Sequence, residues 1–116
     1  MRPYHRLRAW KLSHEFTLLV YRHSRQFPPD ERYGLTAQLR RSAASVAANI
    51  AEGSGTASNQ EFRRYLRIAG RSLNEAGYWC ELARDLTYLD PASWQDLERL
   101  RDGTGIILWR LIRSLG

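Results

Sequence analysis

Residues 42–51 are a run of small side chains, and this run strongly restricts what the chain can fold into. It reads Ser-Ala-Ala-Ser-Val-Ala-Ala-Asn-Ile-Ala, so only Val46 and Ile50 are sizeable apolar residues. Alanine favours the helix, and a helix with so thin a surface lets a neighbouring helix approach its backbone. The Gly-Ser-Gly sequence at 53–55 predicts the end of this helix, with glycine in the left-handed conformation.

This run lies in one of four segments in which apolar residues recur at helical spacing. Apolar side chains recur at three- and four-residue steps over about residues 8–26, 31–52, 58–87 and 91–115. Strand-like alternation and internal repeats are absent from the sequence. The pattern predicts a single all-α domain over residues 1–116, an up-down-up-down antiparallel four-helix bundle.

Polar residues at the expected helix starts support these boundaries. Ser58, with Glu61 three residues later, predicts a capping box at the start of the third helix. Asp90 before Pro91 predicts an N-cap followed by proline in the first turn. Asp30 is the predicted N-cap of the second helix.

Composition restricts the compartment and the class of protein. An apolar fraction of 43% indicates a folded domain. No apolar run approaches the roughly 20 residues of a membrane span, and the N-terminus lacks the apolar segment of a signal peptide. A single cysteine, Cys80, fits a reducing environment. We therefore expect a soluble cytoplasmic protein with no membrane association.

Positive charge is concentrated in the first part of the chain. Residues 1–72 hold 13 basic and 5 acidic residues, whereas residues 73–116 hold 5 and 7. A basic half attracts phosphate backbones. Arginine outnumbers lysine 17 to 1, however, and the codon use of a GC-rich genome accounts for that bias equally well. Charge counts alone do not separate these explanations.

The candidate nucleic-acid-binding residues are arginines on the predicted second and third helices. Several of them follow one another at three- and four-residue steps, an arrangement that suits phosphate contacts. The alternative is an ordinary solvated helix face with salt bridges between subunits. The candidates are Arg40, Arg41, Arg63, Arg64, Arg67 and Arg71.

Glu52 lies in the last turn of its predicted helix, where the helix dipole disfavours a negative charge. We predict that an arginine across a helix or subunit boundary pairs with it, and that Asn49 helps to order the turn. The alternative is a solvated carboxylate at a helix end.

The residues that catalysis or cofactor binding requires do not form a recognisable set. His5, His14 and His23 are too scattered for a metal site, and Cys80 lacks a second thiol. The Gly-rich sequence at 53–55 lacks the Gly-Lys-Ser/Thr ending of a phosphate loop. We therefore predict no catalytic residues, no metal, no cofactor and no enzyme activity.

Aromatic residues widen the apolar faces of several helices. They are interpreted either as a subunit interface or as ordinary core. The residues are Trp10, Tyr78, Trp79, Trp94 and Trp109.

With the helices placed, the order of short motifs becomes recognisable. Ser45-Val46-Ala47-Ala48-Asn49-Ile50-Ala51-Glu52-Gly53 is followed by Glu61-Phe62 and by Ser72-Leu73-Asn74-Glu75. Over nearly the whole chain this pattern resembles the bacterial 23S rRNA intervening-sequence proteins, which are similar in turn to the accessory variability determinant of diversity-generating retroelements. The positions that carry the family motif are Asn49, Glu52, Gly53, Glu61, Phe62, Ser72 and Glu75.

The resemblance implies a four-helix bundle that assembles as a homopentamer around a central pore. For the retroelement relatives it implies binding to a reverse transcriptase and to nucleic acid. The family has no established biochemical activity. Two positions depart from its pattern: Ala47 stands where proline is frequent, and Ala76-Gly77 follow Glu75 where the family often has Glu-Leu-Glu.

These observations leave two functional predictions. The first is a non-enzymatic, homo-oligomeric bundle that binds RNA or DNA phosphates with little sequence selectivity. The second is a structural or protein-interaction adaptor with no affinity for nucleic acid.

Overall fold

The computed structural model describes residues 3–116, and within this range it contains α-helices and 3₁₀ turns but no strand. No helix in this range has the length and apolar character that crossing a membrane requires. Short 3₁₀ turns at Pro3–Arg6 and Pro29–Glu31 precede the first and second helices. The helices are α1 Arg8–Ser24, α2 Leu35–Ser54, α3 Asn59–Asp85 and α4 Pro91–Ser114.

Each helix packs antiparallel against its sequence neighbours, and α4 closes the bundle against α1. Across residues 3–116, the diagonal pairs α1–α3 and α2–α4 make no comparable backbone approach. The bundle measures 43 × 24 × 24 Å, and α3, with 27 residues or about 40 Å, runs along most of its length. The predicted all-α, up-down-up-down bundle is confirmed.

The core is built from one apolar stripe on each helix. Every fully buried leucine, valine or phenylalanine contributes about 1.5–3 kcal/mol relative to an exposed side chain. Because these stripes must face inward, they determine which residues each helix presents to solvent. The largest fully buried apolar side chains are Phe16, Val20, Leu39, Val46, Ile50, Leu66 and Leu97.

The start of α2 differs from the prediction, and Asp30 is not its N-cap. Asp30 and Glu31 lie in the second 3₁₀ turn, and α2 begins only at Leu35, after Gly34. The Leu35 backbone N–H donates to Glu31 Oε1 at 3.1 Å. Glu31 therefore satisfies an N–H of the first turn from four residues upstream, and the helix starts later than position 31.

The end of α2 also differs from the prediction, because Gly53 is helical. No glycine in the part of the chain that the structure describes has a positive φ angle. Gly53 is buried, and a Cβ atom there would lie 2.6 Å from Tyr65 Cβ and 3.0 Å from Phe62 Cδ1. Glycine is therefore required for the close approach of α3 to the backbone of α2, not for a left-handed helix end.

The two other predicted N-caps are confirmed. Ser58 Oγ accepts a hydrogen bond from the Glu61 backbone N–H at 3.1 Å, and Asp90 Oδ1 accepts one from the Ser93 backbone N–H at 2.7 Å. The Ser93 N–H stabilises the ionised carboxylate and so lowers the pKa of Asp90. Both caps act within a few residues, which is why the sequence predicted them.

Thr87, beyond the end of α3, is the non-glycine residue with a positive φ, 65°, among residues 3–116. The Thr87 N–H donates to Arg84 O at 2.9 Å and the Tyr88 N–H to Ala83 O at 2.8 Å. This is the hydrogen-bond pattern of a Schellman motif, in which glycine usually holds the left-handed position. The left-handed conformation is unfavourable for a β-branched residue, and the two hydrogen bonds stabilise the turn in spite of it.

We expect Gly53→Ala to lower the free energy of unfolding by about 1–2 kcal/mol. The added methyl group overpacks the contact with Tyr65, at a cost that the helix preference of alanine only partly offsets. Urea denaturation followed by circular dichroism measures the change.

Gly103→Ala is the matched control, because an added Cβ at this helical position would meet nothing within 4 Å. We expect this variant to gain about 0.5–1 kcal/mol from helix propensity alone. Equal effects of the two substitutions would show that Gly53 is not required for close packing.

Candidate nucleic-acid interface

The outer face of α3 carries a basic surface formed by Arg64, Arg67 and Arg71. The buried stripe of α3 faces α2 and α4, so these three side chains extend into solvent, where all are exposed. Arg67 and Arg71, one helical turn apart, make no ion pair or side-chain hydrogen bond within residues 3–116. The Arg64 guanidinium lies 4.7 Å from the Tyr65 ring centroid. We call these three residues the α3 arginine face.

The guanidinium groups of the other three predicted arginines bind other residues of the same chain. Arg40 Nε donates to Ser24 Oγ at 2.8 Å, which places Arg40 on the side of α2 that faces α1. Arg41 pairs with Glu75 of α3. Arg63 donates to the backbone oxygen of Leu115, beyond the end of α4. The predicted two-helix cluster is therefore reduced to the α3 arginine face, because tertiary contacts hold the guanidinium groups of Arg40, Arg41 and Arg63.

A groove of about 440 Å³ between α3 and α4 adjoins the α3 arginine face. Arg67 and Arg71 are among its lining residues, and none of these residues is an aspartate or a glutamate. Two helical glycines, one on each wall, leave it open to solvent. The lining residues are Arg67, Gly70, Arg71, Leu73, Asn74, Gly105, Leu108, Trp109 and Ile112. We call this the α3–α4 groove.

Acidic residues accompany arginines elsewhere on these two helices. Glu61 shares a shallow depression with Arg64 and Arg67 at the start of α3, where one negative charge faces two positive ones. Farther along, the acids pair with arginines, so the unpaired positive charge of α3 lies in its first half. These pairs are Arg84–Asp85, Arg99–Asp96, Arg101–Glu98 and Arg101–Asp102.

The sequence model of the 23S rRNA-intervening sequence protein family matches residues 5–109. The chain belongs to this family. A crystal structure of a protein of unknown function, from the S23 ribosomal protein family of Bacteroides thetaiotaomicron, has a similar fold. The TM-score is 0.82, with 24% sequence identity over 90% of this chain and 95% of the other. That likeness shows the fold alone. No curated protein matches the chain.

Most positions of the family motif lie where α2 meets α3. Asn49 Nδ2 donates to the Ser45 backbone oxygen at 2.8 Å, and Ser45 Oγ lies 2.9 Å from Ser72 Oγ. Gly53 admits Phe62 and Tyr65, as described above. Asn49 therefore orders a polar bridge between two helices rather than the turn after α2, and these motif positions act through helix packing.

Glu75 also joins α2 and α3. Its Oε2 atom accepts a hydrogen bond from Trp79 Nε1 at 3.0 Å and contacts the Arg41 guanidinium, which also donates to Gln38 Oε1 at 2.9 Å. The pair is partly exposed, so its contribution to stability is about 0–1 kcal/mol. Its clearer effect is to hold Arg41 away from the α3 arginine face.

Glu52 and Glu61 are the two motif positions that face solvent. Glu52 is exposed and makes no ion pair within the chain from residue 3 onward. A partner for Glu52 across a helix boundary of the same chain is therefore not found. A partner in another subunit stays a prediction.

The sequence interpretation missed the α3–α4 groove. Of the two interpretations of Trp109, ordinary core is wrong, because the residue is 57% exposed, whereas Trp10, Trp79 and Trp94 pack partly buried against the core; a subunit interface at Trp109 stays a prediction. Glycines inside two helices, Gly70 and Gly105, were a signal of this groove. Their facing positions became apparent only when α3 and α4 were placed side by side.

The Cys80 thiol is unsuited to nucleophilic chemistry at neutral pH. It is buried in the core, and this burial raises its pKa from 9.0 to about 12. The reactive species is the thiolate, which is scarce far below the pKa. Among residues 3–116, no group of three or more histidine, cysteine, aspartate or glutamate side chains is placed to hold a metal ion.

We expect folded protein to react with a thiol-labelling reagent at least about 100-fold more slowly at pH 8 than protein unfolded in urea. Burial and the raised pKa both suppress the thiolate of Cys80. Absorbance of the released thionitrobenzoate gives the rate, and Cys80→Ser supplies the blank. Rapid labelling without denaturant would show that Cys80 is accessible and ionised.

Proposed function

We propose that this protein is a non-enzymatic, homo-oligomeric bundle that associates with RNA or DNA through the α3 arginine face. The observation that carries the proposal is the pair Arg67 and Arg71, which are exposed at adjacent turns and form no ion pair within residues 3–116. Arginine binds phosphate through a rigid fork of N–H donors, so two such side chains in one line suit successive phosphates.

The expected binding has little sequence selectivity. Phosphate contacts fix the position of a protein on a nucleic acid but carry no base information by themselves. The excess of positive charge in residues 1–72 adds a long-range attraction to the same polyanion. The proposed role is therefore that of an accessory protein that holds a nucleic acid electrostatically.

Self-association is the second part of the proposal. The outer side of α2 carries the small residues Ala37, Ala44 and Ala48, and it shares this side with Arg41, which Glu75 of α3 holds. The family resemblance implies five copies in a ring. In such a ring the α3 arginine face would repeat around the axis, which would strengthen the attraction for a polyanion.

The triple variant Arg64→Gln/Arg67→Gln/Arg71→Gln tests the phosphate contacts. We expect weaker binding at all salt concentrations. Each phosphate contact contributes about 0.7–0.9 to the slope of log K against log salt, so three lost contacts make the slope shallower by about 2–3. Fluorescence anisotropy of labelled RNA and DNA, titrated between about 50 and about 200 mM salt, measures both quantities.

Arg22→Gln/Arg25→Gln is the control for net charge. Both arginines are exposed, and they lie in or next to the end of α1, diagonally across the bundle from α3. We expect this variant to keep nearly the slope of the unsubstituted protein. Equal losses per charge removed in the two variants would show that net charge, not the α3 arginine face, carries the binding.

Glu52→Gln tests the predicted pairing between subunits. We expect a smaller oligomer mass or a lower melting temperature, because an arginine of the neighbouring subunit would lose its ionic partner. Multi-angle light scattering and thermal denaturation measure the two effects. An unchanged mass together with an unchanged melting temperature would rule out the pairing.

The second candidate function is a protein-interaction adaptor. It is favoured by a largely apolar groove of about 570 Å³ between α1 and α4, where Leu12, Leu19 and Ile107 contribute to the lining and 54% of Ile106 is exposed. An adaptor would show no nucleic-acid binding even at low salt. The salt titration described above therefore distinguishes the two candidates.

A further inference from the structure

The α3–α4 groove combines an exposed aromatic ring with unpaired positive charge. Trp109 lies on its α4 side, whereas Arg67 and Arg71 lie on its α3 side. Trp10 stacks on His14 and Trp94 lies beneath the Arg84 guanidinium, but Trp109 makes no ring or cation–π contact within residues 3–116. An exposed aromatic without a partner next to free arginines is the combination that single-strand-binding proteins use for stacked bases.

Glycine on both walls gives the groove its depth. A Cβ at Gly70 would lie 3.8 Å from Leu108 Cδ2, and one at Gly105 would lie 3.6 Å from Leu73 Cδ2. Neither distance is a clash, so alanine would fit at both positions, and its methyl group would take up part of the groove. Its volume of about 440 Å³ falls within the range of about 300–1,000 Å³ that small-molecule sites have.

The α3–α4 groove differs from the other depressions that contain exposed apolar side chains because it combines arginines with an exposed tryptophan ring and lacks an acid. The groove between α1 and α4 is also basic, with Arg8, Arg99 and Arg110, but no aromatic side chain lines it. Asp96 lines the groove between α1 and α4, and both Glu81 and Glu98 line the depression beside Tyr78. The α3–α4 groove contains no acid, and Asn74 adds an amide with two donors and an acceptor. A polyanion with a flat apolar group therefore suits this groove better than an acidic or neutral peptide segment.

We propose that the α3–α4 groove binds an unpaired nucleotide of a single-stranded nucleic acid. The base stacks on Trp109 above the apolar floor formed by Leu108 and Ile112, while Arg67 and Arg71 contact the flanking phosphates. This inference rests on the proposed nucleic-acid function and specifies its substrate class. Bases within a duplex are stacked on one another and cannot enter the groove, so single strands are selected over duplexes.

The test compares oligouridylate and oligothymidylate with a fully paired duplex of equal length. We expect the unsubstituted protein to bind the single strands more tightly. Trp109→Leu should lower the affinity for single strands by about 5- to 100-fold, the range for loss of one stacked base, and should leave duplex binding nearly unchanged. Trp109→Phe should retain most of the affinity, because phenylalanine still offers a stacking surface.

Tyr78→Leu is the matched control. Tyr78 is 55% exposed, nearly as much as Trp109, but it lies beside Glu81 and Glu98. We expect no loss of single-strand affinity in this variant. Equal losses in Tyr78→Leu and Trp109→Leu would overturn the assignment to the α3–α4 groove.

Tryptophan fluorescence gives a second measurement that does not depend on the leucine variant. Single strands should quench the emission of the unsubstituted protein, and most of this quenching should disappear in Trp109→Phe, because the other tryptophans are partly buried. If Trp109→Leu does not fold, this comparison decides the question. Quenching that persists in Trp109→Phe would contradict stacking on Trp109.

The remaining outcomes separate the inference from the proposed function. Equal affinity for single strands and duplexes would overturn the groove assignment and leave the α3 arginine face intact. Absence of nucleic-acid binding in every variant would overturn both. A lower oligomer mass in both Trp109 variants would assign Trp109 to a contact between copies of the chain, and this too would overturn the groove assignment.

Discussion

α2 and α3 lie close together because side-chain bulk is missing along one side of α2. At Gly53 a single Cβ atom would stand 2.6 Å from Tyr65 Cβ, well inside the distance at which carbon atoms repel one another. Farther along the same interface, Ser45 and Ser72 exchange a hydrogen bond at 2.9 Å. Small residues permit the approach, and the polar bridge fixes the register of one helix against the other.

The orientation of α3 follows from this interface and from its buried stripe. Ser72 and Glu75 must face α2, and Leu66 and Leu73 must face the core. The α3 arginine face is then left on the solvent side, because on a helix it is the face that none of these contacts occupies. The same rotation brings the α3 arginine face to the edge of the α3–α4 groove. The motif of the 23S rRNA-intervening sequence protein family thus positions basic residues that lie outside it.

The basic and the acidic side chains of α3 lie mostly in different halves of the helix. The first half of the helix has four arginines and one acid, Glu61, whereas the second half has three acids and one arginine, Arg84. Arg84 and Arg101, which lie near the acidic half, form ion pairs with neighbouring carboxylates. The positive charge of α3 is therefore concentrated toward the end of the bundle where this helix begins. The proposed stacking on Trp109 places the base-binding position beside these free arginines.

Apolar periodicity and capping act within a few residues, so they were sufficient to predict the four helices, their order and the caps at Ser58 and Asp90. These local signals did not predict the first turn of α2, which depends on Glu31, or the role of Gly53, which depends on Tyr65 of another helix.

Which of the predicted arginines stay free depends on how the helices pack. Arg40 and Arg41 are adjacent in sequence, yet one turns toward α1 and the other toward α3, where Glu75 binds it. The packing of α3 against α4 also brings Trp109 beside Arg67 and Arg71. Spacing along one helix shows which side chains share a face, whereas only packing shows which faces meet and which partners neutralise their charges.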